Sequence, residues 1–191
     1  MKRLFLTIFV TLFTVALYAQ TESNHLTFKG IPIDGDYKVF AQKLVQKGFV
    51  QTGTSDDGIL LKGTFMAHPN VSVGVYPNPS TKTVAGVSAI IEVGDNWSTI
   101  EDQYYDIVDL YSEKYGNCTS HIEEFTTTVY GNSSKLSCIR NGECNYSSTW
   151  ELDAGMIIIA IDYFDHKYCV ICNYYDEINY NTYRQSMLDD I

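Results

Sequence analysis

The five cysteines have the widest chemical repertoire of any side chains in this chain. All of them lie in its second half, at Cys118, Cys138, Cys144, Cys169 and Cys172. Cys169-Val-Ile-Cys172 has the spacing of redox and zinc motifs, but those motifs place their sulfurs at a helix N-terminus or in a tight turn. Val170 and Ile171 favour a strand, in which the two thiols point in opposite directions. We therefore predict one core and one surface cysteine there, without redox or zinc chemistry.

Histidines and carboxylates form no recognisable catalytic pattern. Cys118 and His121 are close in sequence, but their spacing fits no nucleophile and base arrangement. The chain has no His-Glu-x-x-His, no Gly-x-Ser-x-Gly and no phosphate-binding glycine loop. We predict no catalytic residue, no metal site and no cofactor, and we favour a protein without catalysis over an enzyme. An extracytoplasmic hydrolase acting on polysaccharide or peptide, with scattered carboxylates, remains the alternative.

Tyrosine is the other prominent residue type, with 15 copies of which 12 follow Gly94. Tyrosines provide rigid, amphipathic contact area in recognition surfaces, and they also pack well in strands. The tyrosines that our expected core least requires are the candidate binding residues. They are Tyr105, Tyr146, Tyr175, Tyr180 and Tyr183.

Charge divides the chain in two. Residues 20–93 carry six basic and six acidic side chains, whereas residues 94–191 carry five basic and 17 acidic ones. An acidic second half either keeps an exported domain soluble or attracts a cationic partner, and a basic protein or an envelope component is then the expected partner. Nucleic acid is not expected, because phosphate binding requires clustered Lys and Arg.

The N-terminus predicts export. Lys2 and Arg3 precede an apolar run from Leu4 to Leu17 and the small residue Ala19, which is the order of a secretory signal peptide. The run is too short for a membrane-spanning helix. We expect cleavage after Ala19, a periplasmic or secreted location, and no membrane span in the mature chain. Loss of two basic residues takes the formal net charge from −10 to −12.

The first half reads as a strand, a helix and further strands. Residues 26–33 alternate as a short strand, and Asp34-Gly35-Asp36 offers caps for a helix whose apolar arc includes Tyr37 and Val45. Gly48 is the expected stop. Strands are predicted at 58–67, 71–76 and 83–93.

The second half repeats that order. Ser98 and Glu101 fit a capping box for a helix with an apolar arc from Ile100 to Tyr115. Asn141-Gly142 predicts a hairpin that would turn Cys138 and Cys144 to opposite faces. A second hairpin, at Asp165-His166, joins strands 156–163 and 168–174, and the tail has helical character.

These elements predict an α+β fold. We expect an antiparallel sheet with two amphipathic helices on one face and two similar β-α-β(n) halves. The expected divisions are residues 1–19, the signal peptide; 20–93, the first α+β half; 94–175, the acidic, Cys- and Tyr-rich second half; and 176–191, the tail.

The opening of the mature chain carries a resemblance. Residues 28–35, FKGIPIDG, the helix after them and Lys47-Gly-Phe49 resemble a group of small, uncharacterised secreted proteins of gut-type bacteria. The order of elements resembles, more distantly, the two-repeat inhibitor protein that binds β-lactamases. The first resemblance implies no particular activity and no functional residue. Together with the charge pattern, these features predict a non-catalytic binding module, of which a proteinaceous inhibitor is one form.

Overall fold

A computed structural model describes residues 25–188. The helices within these residues are α1 (Tyr37–Gln46), α2 (Trp97–Tyr115), α3 (Asn132–Asn141) and α4 (Glu177–Leu188). The strands are β1 (Thr27–Phe28), β2 (Ile31–Pro32), β3 (Val50–Ser55), β4 (Gly58–Phe65), β5 (His68–Pro77), β6 (Val84–Glu92), β7 (Ser120–Phe125), β8 (Cys144–Leu152), β9 (Gly155–Phe164) and β10 (Lys167–Asp176). The predicted signal peptide, residues 1–19, lies outside the described part of the chain.

Eight strands form one antiparallel sheet in the order β3-β4-β5-β6-β10-β9-β8-β7, which confirms the predicted α+β class with a large antiparallel sheet. Each half of the chain supplies four consecutive strands. The halves meet where β6 pairs with β10, with Ile90 opposite Ile171. β1 and β2 make a separate hairpin. No helix within residues 25–188 is long and apolar enough to cross a lipid bilayer.

The β9–β10 hairpin forms as the sequence predicts. Asp165 and His166 make a two-residue turn with φ of 49° and 61°, and Phe164 pairs with Lys167. Positive φ at both positions is the signature of a turn whose twist matches the flanking strands. The resulting register sends alternate residues such as Ile159 and Cys172 into the main core, where both are fully buried.

The first helix, α1, is capped and buried as its sequence requires. The Asp36 carboxylate accepts hydrogen bonds from the backbone N–H groups of Lys38 (2.9 Å) and Val39 (3.1 Å). These bonds satisfy two N–H groups that have no partner inside the helix. Phe40 is fully buried, whereas Val45, which we predicted on the same arc, is 44% exposed.

The second helix begins two residues earlier than its predicted capping box requires. Its N-cap is Asn96, whose side chain accepts a hydrogen bond from Thr99 N–H at 3.4 Å, so Ser98 is not the cap. The earlier start carries Trp97 into the core as the first helical residue, where it is 2% exposed. Burial of a large aromatic ring therefore outweighs the local capping preference.

The Asn141-Gly142 hairpin prediction is wrong. These residues end α3, and Gly142 is its left-handed cap with φ of 71°, donating its N–H to the carbonyls of Cys138 and Ile139. A positive-φ residue serves a helix C-terminus as well as a hairpin. Cys138 consequently lies on a helix, and Cys144 begins β8. No hairpin joins these two residues, so the prediction that their thiols lie on opposite faces of one hairpin does not apply.

Two further segments differ from prediction. Residues 26–33 form the β1–β2 hairpin around Lys29-Gly30, because Lys29 adopts φ of 53° and Gly30 φ of 72°, so the chain turns where we predicted one strand. Residues 50–55 form β3, which we did not predict; every side chain of that strand is exposed or half-buried, so no apolar alternation marks it. The tail is helical as far as Leu188, as α4.

Candidate functional site

The sheet has a second face, opposite the main core, formed in its central strands by small and aliphatic residues. We define this second face by Ser88, Ile90, Ile158, Ala160, Ile171 and Asn173, with Tyr76 and Tyr175 at one end. Its centre is tightly packed: Ile90 and Ile171 form with Cys169 a buried cluster separate from the main core. Ser88 donates a hydrogen bond to Asn173. The neighbouring Ile158 and Ala160 remain half-buried.

Three of the five candidate tyrosines come together at the end of this face. The ring of Tyr180, on α4, lies 5.3 Å from that of Tyr175 and 6.4 Å from that of Tyr183. With Tyr76 they line a cavity of about 470 Å³. Burial raises the pKa of Tyr175, so its hydroxyl stays neutral at physiological pH. The tyrosine cluster, as we call these four residues, presents aromatic rings and hydroxyls together.

A buried carboxylate holds α4 beside the sheet. Asp176 is fully buried at the start of α4, and it accepts hydrogen bonds from the backbone N–H groups of Leu26 (2.9 Å) and Asn179 (3.1 Å). Oδ1 of the Asp176 carboxylate also lies 3.0 Å from His25 Nδ1. Because a buried carboxylate requires such partners, the first and last described elements are joined at this point.

The other two candidates, Tyr105 and Tyr146, lie apart from the tyrosine cluster, beside a polar network that the sequence did not reveal. Tyr104 Oη and His121 Nδ1 each lie 2.8 Å from Ser148 Oγ. His121 Nε2 lies 2.7 Å from a Glu123 oxygen, which also accepts a hydrogen bond from Tyr105 at 2.6 Å. Tyr146 is only 8% exposed.

This Ser148–His121–Glu123 network places residue types in the order of a hydrolytic triad. Ser148, however, is fully buried, and its hydroxyl lies between Tyr104 and His121, so a substrate carbonyl has no approach to it. Burial raises the pKa of Tyr104 to about 12, which keeps that phenol protonated at physiological pH. The arrangement joins α2 to β7 and β8 and lacks an accessible nucleophile. Its sequence signal was His121 and Glu123 two residues apart on one strand face.

The Cys169 and Cys172 thiols lie on opposite faces of β10, and both are fully buried. The prediction that one of the two is a surface cysteine is therefore wrong, because the aliphatic cluster of the second face covers Cys169. Burial raises the pKa of each thiol to about 12. Because these thiols stay protonated at neutral pH, they are poor nucleophiles and poor metal ligands there. Among residues 25–188, no three His, Cys, Asp or Glu side chains are grouped as metal ligands.

These features define an α+β protein with one broad antiparallel sheet, a small-residue second face and a tyrosine cluster at its end. Comparison of the chain with protein-family models, with curated proteins and with solved structures gave no significant match.

Proposed function

We propose that this protein is an exported, non-catalytic binding module, periplasmic or secreted, whose second face binds a basic protein. The observation that carries the proposal is the row of small and aliphatic side chains across three central strands, β6, β10 and β9. Ile158 and Ala160 are half-buried there, beside Ile171, which is buried. A flat, partly apolar surface of this kind suits a protein partner better than a small molecule.

Charge at the rim supports the choice of a basic partner. Asp162, Glu151 and Glu124 follow the second face by strand alternation, and all three are exposed. Lys167, an exposed lysine beside them, pairs with Glu92 at 2.6 Å, and a second exposed lysine of this face, Lys62, lies across the sheet on β4. In a chain of net charge −10, this rim attracts a cationic surface and speeds encounter. An envelope component without basic charge is the other possible partner.

The proposal includes two architectural statements. We propose that α1 and α2 cover the same face of the sheet, since the buried residues of both helices belong to one core cluster. We also propose that the two halves arose by duplication. The sheet order supports this, because each half contributes a helix followed by four antiparallel strands, and the final strands, β6 and β10, pair at the centre.

A hydrolase is the second candidate, favoured only by the Ser148–His121–Glu123 network. His121→Ala would abolish any hydrolysis that uses it. We expect no loss of function, because Ser148 is inaccessible. Turnover of peptide or polysaccharide by the mature protein, lost in His121→Ala, would establish the hydrolase instead.

Affinity capture tests the binding proposal. Mature protein immobilised as bait is exposed to envelope and culture fractions, and three baits are compared: the unchanged chain, Ala160→Arg on the second face, and Val39→Arg on the exposed side of α1. A positive, bulky residue at the second face should reduce capture of a basic protein at least about tenfold, whereas the control should not. Capture that is equal for all three baits, or insensitive to salt, contradicts the proposal.

A further inference from the structure

A cleft of about 530 Å³ lies between the two halves of the chain, away from the second face. Three separate segments and one strand residue form its wall. They are the β1–β2 turn (Thr27, Lys29, Gly30), the β4–β5 turn (Phe65, Met66, Ala67), one side of α2 (Leu110, Tyr111, Lys114, Tyr115) and Tyr174 on β10. A cleft of this size encloses most of a drug-sized molecule.

The inner wall of the cleft is aromatic. Phe65, Tyr111 and Tyr174 are each 5% exposed, and the hydroxyls of Tyr111 and Tyr174 are hydrogen-bonded to each other. Burial raises the pKa of both phenols, so this wall carries no charge in the physiological range. Leu110, on the outer side, is 52% exposed and adds apolar surface at the mouth. An apolar molecular body would be buried against these side chains.

The charge of the lining is opposite to that of the protein. Lys29 and Lys114 are its only ionisable side chains besides tyrosines, and no carboxylate lines the cleft. Four other cavities in the described residues each contain at least one Asp or Glu. The chain has 23 acidic and 13 basic side chains, so a cleft lined by two lysines and no carboxylate has a local charge opposite in sign to the net charge of the protein. Both lysines are exposed; Lys29 Nζ donates to the Thr64 carbonyl at 3.5 Å, and Lys114 Nζ lies 4.6 Å from the centroid of the Tyr115 ring.

The β4–β5 turn contributes Met66 to the lining of the cleft. Met66 and Ala67 adopt φ of 48° and 64°, and Phe65 pairs with His68, so this is a two-residue hairpin turn of the same kind as Asp165-His166. The Met66 side chain is half-buried and lies in the lining, where a bound molecule would contact it.

We infer that this cleft binds an anionic amphiphile, a small molecule with one carboxylate-type head and an aliphatic or aromatic body. The head lies between Lys29 and Lys114 at the mouth, and the body packs on Phe65, Leu110 and the paired tyrosines. This site is independent of the second face and goes beyond the proposed function.

Methionine methyl NMR tests the site directly, because the chain has only four methionines. The mature protein, labelled at its methionine methyl groups, is titrated with octanoate, 3-phenylpropionate, 1-octanol and octylamine. We expect the carboxylates to shift the Met66 signal and to leave Met156 unchanged, since Met156 lies outside the cleft. The two carboxylates distinguish an aliphatic from an aromatic body. If neither carboxylate shifts Met66, or if octylamine binds as tightly as octanoate, the inference is wrong.

Two matched pairs of variants separate specific binding from loss of fold. Lys29→Gln combined with Lys114→Gln should raise the Kd for the carboxylate about tenfold, while Lys43→Gln on α1 leaves it unchanged. Leu110→Glu should abolish binding, while the equally exposed Val39→Glu should not. Far-UV circular dichroism and Tm verify that each variant is folded. Retained affinity in a folded Leu110→Glu variant overturns the site.

Discussion

The two faces of the central strands are both apolar, but they bury side chains of different size. On β9, Ile159 faces the main core and is fully buried, whereas its neighbour Ile158 faces the second face and is half-buried. The core face stacks isoleucines against aromatic rings such as Trp150. The second face instead sets Ser88 and Ala160 among its isoleucines. This difference indicates that the core face stabilises the fold. The small side chains of the second face leave room for another molecule to approach the sheet.

The largest predicted effect compares adjacent isoleucines of β9. Ile159→Ala should lower the free energy of unfolding by about 2–5 kcal/mol, because it removes buried methyl groups and leaves a cavity. Ile158→Ala should lower it by less than about 1 kcal/mol, since its side chain is already partly in water. Urea unfolding of both variants measures the difference. Equal losses would mean that the second face is covered as fully as the core.

A smaller difference in stability is expected between two serine-to-alanine substitutions, one on each face. Ser148→Ala leaves the buried Tyr104 hydroxyl and His121 Nδ1 without a partner and should cost about 1–3 kcal/mol. Ser88→Ala frees only the half-buried side chain of Asn173, which water can solvate, and should cost less than about 1 kcal/mol. Thermal unfolding monitored by circular dichroism compares them. The distinction between the faces fails if Ser88→Ala lowers Tm as much as Ser148→Ala.

The effect that is smallest at neutral pH concerns the thiols, because it appears only at alkaline pH. Burial raises the pKa of Cys172 and Cys169 from 9.0 to about 12, so the folded state retains protons that the unfolded state releases. Their contribution to stability is complete below pH 9 and is lost as pH rises towards 12. The free energy of unfolding should fall by about 1.4 kcal/mol per pH unit for each thiol within that window.

Matched variants sharpen this test. Cys172→Ala and Cys169→Ala should each reduce the alkaline slope by the same amount, because both thiols are fully buried although they lie on opposite faces. Urea titrations at pH 8, 9, 10 and 11 provide the slopes. A reduced slope for Cys172→Ala alone would show that water reaches Cys169 through the second face.

Local sequence patterns predicted those elements for which short-range residue preferences and the final burial of the side chains favour the same structure. The arc of α2 and the Asp165-His166 turn are of this kind: each needs only the spacing of apolar residues and, for the turn, tolerance of positive φ. The register of β9 with β10 then follows, since a two-residue turn leaves one alignment of the strands. The same agreement placed the cap of α1 within Asp34-Gly35-Asp36, of which Asp36 is the residue that caps the helix.

The predictions that were wrong or missing concern segments whose structure depends on contacts with residues distant in sequence. Residues 132–141 are mostly polar and form α3 because Cys138 and Ile139 bury against the rest of the protein. The polar network depends on His121 lying opposite Ser148, a register that no local signal sets across 27 residues. The separation of Tyr105 and Tyr146 from Tyr175, Tyr180 and Tyr183 has the same origin, because it depends on strand order.

The pairing of β6 with β10 has a consequence for the order of folding. β6 comes from the first half and has eight consecutive buried residues, yet its partner is the last strand of the chain. Until β10 arrives, one edge of β6 exposes unpaired backbone groups beside an apolar sequence, which is the kind of edge that recruits other chains. Pairing so distant in sequence is slow. We therefore expect aggregation during refolding to depend on residues 84–91, and chains truncated before residue 167 to be the most susceptible.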